Sequence, residues 1–368
     1  MSVERVPALV LHALGALPRL ETVEVGDPGA DEVRIHVAAA GLCHTDLGYM
    51  QSARAVPVVL GHEGAGVVES VGERVTHLQP GDRVAVNWQP KCGRCRHCLR
   101  GRRDLCESVL STAAPRVHLN GAPLSVMLSA GVFSPLAVLP ASGAVPIAPE
   151  LPLEQAALLG CGVATGVGAA LYTAQVQPGD DLLVIGCGGV GLNVIQGARL
   201  ALARKIIAAD INGERLELAR RLGATHLLRS DVADLPAAVA EITAGRGVDH
   251  CFEVVGSPAL MQMAIALLAR GGMLTLVGAA ERSAELSFAP RAFMSRQQRI
   301  VGCIYGNVFP ERDLPAFAEW ALDGRLKLAD LHTHTVRLDD LPAIFAQGGP
   351  REGIRTVVRF EPPTGGLW

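Results

Sequence analysis

The stretch VIGCGGVG at residues 184–191 limits the possible folds of this chain more than any other. Gly186, Gly188 and Gly191 form G-x-G-x-x-G, preceded by an apolar run that reads as a strand and followed by VGLNVIQGARLALA, which reads as an amphipathic helix. The first glycine permits a tight turn, the second lets a pyrophosphate approach the backbone, and the third lets helix and strand pack closely. The unpaired N–H groups at the helix start, around Gly189 and Val190, suit an anion. A merely structural glycine-rich turn is the alternative that this context disfavours.

The alternation continues from about Asp181 to Tyr305. LLVIGCG, KIIAADI, THLLRS, HCFEVVG, MLTLVGA and RIVGCIYG read as buried strands, and ERLELARRLGA as a helix ending at Gly223. Strands alternating with helices predict a doubly wound parallel sheet of Rossmann type, so the fold class is α/β. The second strand ends at Asp210, roughly 20 residues past the glycine turn, where a carboxylate accepts hydrogen bonds from ribose hydroxyls and repels a 2′-phosphate. This favours NAD over NADP. Arg215 lies one helical turn on, either beside the ribose or facing solvent.

Residues before this block are rich in Gly, Pro and Val, and GHEGAGVVESVG and PGDRVAV read as a bent antiparallel sheet. After Gly306 the chain offers one helix, PERDLPAFAEWALDG, and a last strand, IRTVVRF, too little for an independent domain. The expected division is residues 1–162 with 306–368, and 163–305 as the dinucleotide-binding domain. A net charge of −3 argues against nucleic acid as a partner. The N-terminus lacks the pattern of a signal peptide, and prolines and glycines break the nearly uncharged stretch 117–149 that could otherwise suggest a membrane span. A cytoplasmic protein without a membrane partner is expected.

Nine cysteines without a secretion signal argue against a disulfide framework. Cys92, Cys95, Cys98 and Cys106 follow C-x2-C-x2-C-x7-C, which suits a closed tetrahedral zinc site with no free position for chemistry. An iron–sulfur cluster is the rival. Cys187, Cys251 and Cys303 sit in apolar strands and read as core residues. Cys43 in AAGLCHTD, His62 in LGHEGAG and Cys161 in LLGCGVATG are the donors for a second zinc with an open fourth position, provided the fold brings them together.

These motifs, in this order, resemble the zinc-dependent medium-chain alcohol dehydrogenase family over nearly the whole length. GHEGAGVVESVGERV, the four-cysteine lobe, GCGVATGVGAA, VIGCGGVG and GIRTVV carry the resemblance. It implies a GroES-like, partly barrel-shaped β catalytic domain beside the Rossmann domain. It also implies Cys43, His62 and Cys161 as catalytic zinc ligands, with Glu63 as an acidic neighbour able to approach the metal. Cys92, Cys95, Cys98 and Cys106 match the structural zinc, giving two zinc ions per chain. Thr45 matches the hydroxyl bonded to the substrate oxygen, and Asp46 the carboxylate that orients the histidine ligand. His44 and Arg355 match contacts to the coenzyme pyrophosphate, and Trp88 an aromatic wall of the substrate pocket. One departure stands out: many relatives carry a proton-relaying histidine where this chain has Gly48.

The implied activity is reversible hydride transfer between NAD and a primary, possibly aryl, alcohol/aldehyde pair, by a homodimer or homotetramer. Three alternatives stand beside it: an S-(hydroxymethyl)mycothiol dehydrogenase, a nicotinoprotein with permanently bound NAD, and a dinucleotide-binding protein without catalysis. Between Asp46 and Glu63 there is no acidic residue, only Arg54, where the glutathione-adduct branch carries carboxylates. Glutathione chemistry is therefore not expected.

Overall fold

The structure is a computed structural model that describes residues 3–107, 115–350 and 353–362. The chain forms two compact units, Met1–Cys161 with Phe309–Trp368, and Gly162–Val308.

In the first unit, strands Glu4–Leu11, Arg19–Val25, Val117–Leu119, Ala122–Val126 and Val58–Val59 close into a small barrel. The two-residue period of a strand explains how Glu4–Leu11 serves two cores. Val6, Ala8 and Val10 point into the barrel with Val23, Val25 and Val59. Leu9 and Leu11 face a larger core with Ile35, Val37, Phe133 and Phe345. Full burial of side chains of this size contributes about 1.5–3 kcal/mol each.

A seven-stranded sheet flanks the barrel. Its order is Ala144–Pro146, Arg83–Val86, Glu63–Val71, Glu32–Leu42, Arg355–Arg359 and His332–Val336, with Leu136–Pro140 also paired to Glu32–Leu42. In this register Gly41 lies opposite Glu63 on one side and Val357 on the other. The end of Glu32–Leu42, the start of Glu63–Val71 and the start of Arg355–Arg359 therefore converge.

The second unit is a six-stranded parallel sheet in the order His226–Arg229, Lys205–Asp210, Asp181–Ile185, Val248–Glu253, Leu268–Leu276, Arg299–Gly302. Its helices begin at side-chain caps: Asn212 accepts from the N–H groups of Glu214 and Arg215, Asp234 from Ala237, and Ser257 from Leu260. Gly223, with φ 125°, ends helix Gly213–Leu222.

Gly306–Val308 clusters with the second unit, because a Cβ on Gly306 would strike the Ala164 carbonyl and one on Gly168 the Gly306 carbonyl. Contact this close ties the segment to helix Ala164–Gly168. The run RIVGCIYG is a strand only to Gly302 and then turns. Among the described residues, one helical stretch, Leu153–Thr173, is long and apolar enough to cross a membrane, and 72% of its apolar window is buried inside the protein. The described part of 117–149 forms short strands and turns.

Candidate active site and metal centres

Cys43 follows the last residue of strand Glu32–Leu42 and precedes helix His44–Ser52. The helix start is set by Asp46, which is fully buried and accepts the Cys43 N–H through Oδ2 at 2.8 Å. Its other oxygen lies 2.9 Å from Nδ1 of His62. With Nδ1–H donating to this carboxylate, Nε2 is the ring nitrogen left for another partner, and it has no hydrogen-bond partner among the described residues. Burial disfavours charge on His62, but Asp46 outweighs it and holds the imidazole well above its ordinary range.

Cys161 comes from a π-helical turn, Leu159–Val163, a distortion that often marks functional sites. Gly160 lets that turn lie on strand Arg83–Val86, since a Cβ there would collide with the Val86 carbonyl. Donor atoms of Cys43, His62, Glu63 and Cys161 all lie within 4.8 Å of one another. The contact with Cys161, aided by His62, holds the Cys43 thiol well below its ordinary range, while Cys43 and burial push Cys161 well above. Crowded in this way, the two sulfurs disfavour each other's charge, which a cation between them would offset. Two thiols and an unpartnered imidazole nitrogen are the soft donor set of a zinc site with an open position.

Glu63 is fully buried and paired with the guanidinium of Arg355, which is also buried. Gly41 makes room for the pair, because a Cβ there would strike the Glu63 carboxylate. Burial, opposed by Arg355, raises Glu63 to about 7, and its Oε1 has no hydrogen-bond partner among the described residues. No local sequence signal announces this pair, whose members are 292 residues apart. The exposed Thr45 places its Oγ1 3.6 Å from Cys43 Sγ. His44 is exposed next to it. Trp88 meets the His62 ring edge-on at 6.3 Å. Gly48 is exposed and faces open space.

The sulfurs of Cys92, Cys95, Cys98 and Cys106 also gather within 4.8 Å. Backbone N–H groups of Cys92, Cys95 and Cys98 donate to sulfurs of Cys106, Cys92 and Cys95 at 3.3–3.5 Å. Burial and the neighbouring Cys95 and Cys106 push Cys98 up to about 12. Four thiols with amide donors turned toward them fit a closed metal site. All nine cysteines are unpaired as disulfides. Cys187, Cys251 and Cys303 are buried, apart from both clusters.

In the second unit, Gly186 takes φ 98° at the first turn position, and Gly191 packs so tightly that a Cβ would strike the Gly186 carbonyl. Gly188 faces open space, leaving the backbone accessible, and Gly189 and Val190 begin the following helix. Asp210 already accepts N–H groups from Cys187 at 2.7 Å and Asn212 at 2.8 Å. These bonds lock the carboxylate beside the glycine turn, and ionised it retains acceptor capacity. Arg215 is half-buried, and its charge reaches Cys187 inside the turn.

With this geometry in view, comparisons with known proteins place the chain. The family model for an alcohol dehydrogenase GroES-like domain matches residues 29–149, and that for a zinc-binding dehydrogenase matches residues 189–323. S-(hydroxymethyl)glutathione dehydrogenases of Escherichia coli and Photobacterium damsela are each 38% identical over 96% of this chain and 99% of theirs. Among solved structures, an alcohol dehydrogenase zinc-binding domain protein from Burkholderia ambifaria has TM-score 0.93 at 32% identity, covering 98% of this chain and 100% of that one. Benzyl alcohol dehydrogenase from Acinetobacter calcoaceticus has TM-score 0.90 at 29% identity, covering 97% and 100%. The chain belongs to the zinc-dependent medium-chain alcohol dehydrogenase family. It is an oxidoreductase whose cofactors are zinc and a nicotinamide dinucleotide.

Proposed function

We propose that this enzyme interconverts a primary alcohol, aryl alcohols included, and its aldehyde, with NAD as coenzyme. The observation that carries the reading is the convergence of Cys43, His62 and Cys161 with the accessible hydroxyl of Thr45 beside them. When bound, zinc supplies Lewis-acid polarisation of the substrate oxygen and the dinucleotide supplies the hydride acceptor. Cys43, His62 and Cys161 hold the metal, and Asp46 fixes the tautomer that offers Nε2 to it. Arg355 balances the buried charge of Glu63, which stands by as a further donor. Thr45 accepts the alcohol proton. No imidazole follows at Gly48, so the proton leaves through water or a coenzyme hydroxyl. Trp88 forms an apolar wall beside His62. Cys92, Cys95, Cys98 and Cys106 hold a second, structural zinc. Asp210, at the glycine turn, accepts from ribose hydroxyls and repels a 2′-phosphate, which favours NAD over NADP.

The relatives named for S-(hydroxymethyl)glutathione support a second reading, a formaldehyde–thiol adduct as substrate. Against glutathione stands the absence of any carboxylate between Asp46 and Glu63. A mycothiol adduct does not meet that objection. The test follows coenzyme reduction with benzyl alcohol, straight-chain alcohols, and formaldehyde with and without each thiol, using NAD and NADP. Turnover of free primary alcohols with NAD is expected. Turnover confined to formaldehyde plus a thiol would replace the first reading by the second. Size measurement of the purified protein tests the accompanying proposal of a homodimer or homotetramer.

A further inference from the structure

Glu253 ends the strand Val248–Glu253 in the second unit and has no exposed surface. Its side chain bonds no cation among the described residues. Instead Oε1 accepts N–H groups from Val255 at 3.1 Å, Gly256 at 2.9 Å and Ser257 at 3.3 Å, and Oε2 accepts from Gly256 at 3.0 Å. Its backbone carbonyl accepts from Val277 and Gly278, both at 2.9 Å. One residue thus holds the loops that leave two adjacent strands.

The two loops are also pressed together. A Cβ on Gly256, which has φ 90°, would stand 2.5 Å from the Ala279 carbonyl oxygen, and one on Gly278 would strike the Gly256 nitrogen. The first loop reaches the glycine turn as well. The Val254 N–H donates to the Ile185 carbonyl at 3.0 Å, and Val255 Cγ2 lies 2.8 Å from where a Cβ on Gly186 would stand. These contacts join the carboxyl ends of three neighbouring strands, where open α/β sheets bind their ligands.

We propose that Glu253 is a positioning residue for the dinucleotide: its carboxylate fixes loop 254–257 in the shape that frames the glycine turn at 186–191. This rests on the reading that the second unit binds the coenzyme. Burial raises the proton affinity of Glu253 above the ordinary carboxylate range, opposed by the backbone donors. A carboxylate is the side chain here that offers acceptors to three consecutive amides and none of its own donors to clash with them.

The experiment measures NADH affinity by titration, thermal stability, and kcat and KM for NAD, in wild type and in Glu253→Leu, Glu253→Asp and Glu253→Gln. If releasing the loop leaves about a tenth of molecules in the framed shape, the dissociation constant rises about tenfold. That rise is expected for Leu, which lacks acceptors, and for Asp, which is too short to reach and covers the case of a Leu variant that does not fold. It should appear in KM for NAD while zinc content stays unchanged. Gln keeps one oxygen for the three amides that Oε1 serves but sets an NH2 against the Gly256 N–H that Oε2 accepts, so its dissociation constant should fall between those of wild type and the Leu variant. A folded Leu or Asp variant with lower thermal stability but wild-type NADH affinity would overturn the proposal and leave Glu253 a structural anchor. Failure of the wild type to bind NADH would instead remove the coenzyme reading on which it rests.

Discussion

Asp46 has no exposed surface, yet each of its oxygens has a partner: the Cys43 amide and the His62 ring. One carboxylate therefore starts the helix that follows the first proposed ligand and orients the second. Removing it in Asp46→Ala should weaken metal binding at the open site by about 10–100-fold, as read by competition with a chelator, and leave the four-cysteine site unaffected. Thr45 acts differently, because it touches no proposed ligand except through a long contact with Cys43. Thr45→Ala should keep its metal and lose about 10²–10⁴-fold in kcat, whereas Thr45→Ser should retain most activity. Near-normal turnover in the Ala variant would refute the proton role. Away from the site, buried His250 donates from Nε2 to Asp180 at 3.0 Å, with Asp249 and Arg299 near. Burial, only partly offset by Asp180, holds it below its ordinary 6.5. The unfolded chain therefore takes up the proton first. Stability is present above pH 6.5 and declines as pH falls through the ordinary value toward the folded one. Thermal melts of His250→Gln should show a shallower acid decline than wild type.

At the level of elements, the helix His44–Ser52 illustrates a sequence choice that local energetics does not explain. Gly48 sits inside it, exposed and without a positive φ, and a Cβ added there would meet nothing within 4 Å. Alanine there should stabilise the protein by about 0.5–1 kcal/mol, measured by denaturant unfolding. The parallel-sheet unit was legible because its signals are local: glycine spacing, apolar runs, and Gly223 at a helix end. Strand and helix runs read from residues 182 to 302 correspond to elements of the sheet unit. The helices Leu235–Ile242 and Pro258–Leu267 were not singled out in the sequence, since AAVAEI and ALMQMAIAL are apolar on more than one face. The π turn around Cys161 was equally silent, because Gly-Cys-Gly reads as a loop until the surrounding helix is seen.

For the whole molecule, the distances along the chain decide what sequence can tell. The four-cysteine lobe closes within one short segment, so its spacing alone describes it. Cys43, His62 and Cys161 come from the residue after one strand, the residue before another and a helix, so residue type can nominate them as donors but no spacing rule brings them together. The Glu63–Arg355 pair depends on strand Arg355–Arg359 returning to the first unit after the entire parallel sheet, which no spacing rule anticipates. The central claim is that one chain carries two zinc sites of different kinds, one open and one closed. Elemental analysis of purified wild type, Cys43→Ser and Cys106→Ser tests it most directly. The account predicts two zinc ions per chain in wild type and one in each variant, with NAD-linked turnover abolished in Cys43→Ser while its fold is kept. One zinc in fully loaded wild type, iron in the four-cysteine lobe, or two zinc ions retained in Cys43→Ser would contradict it.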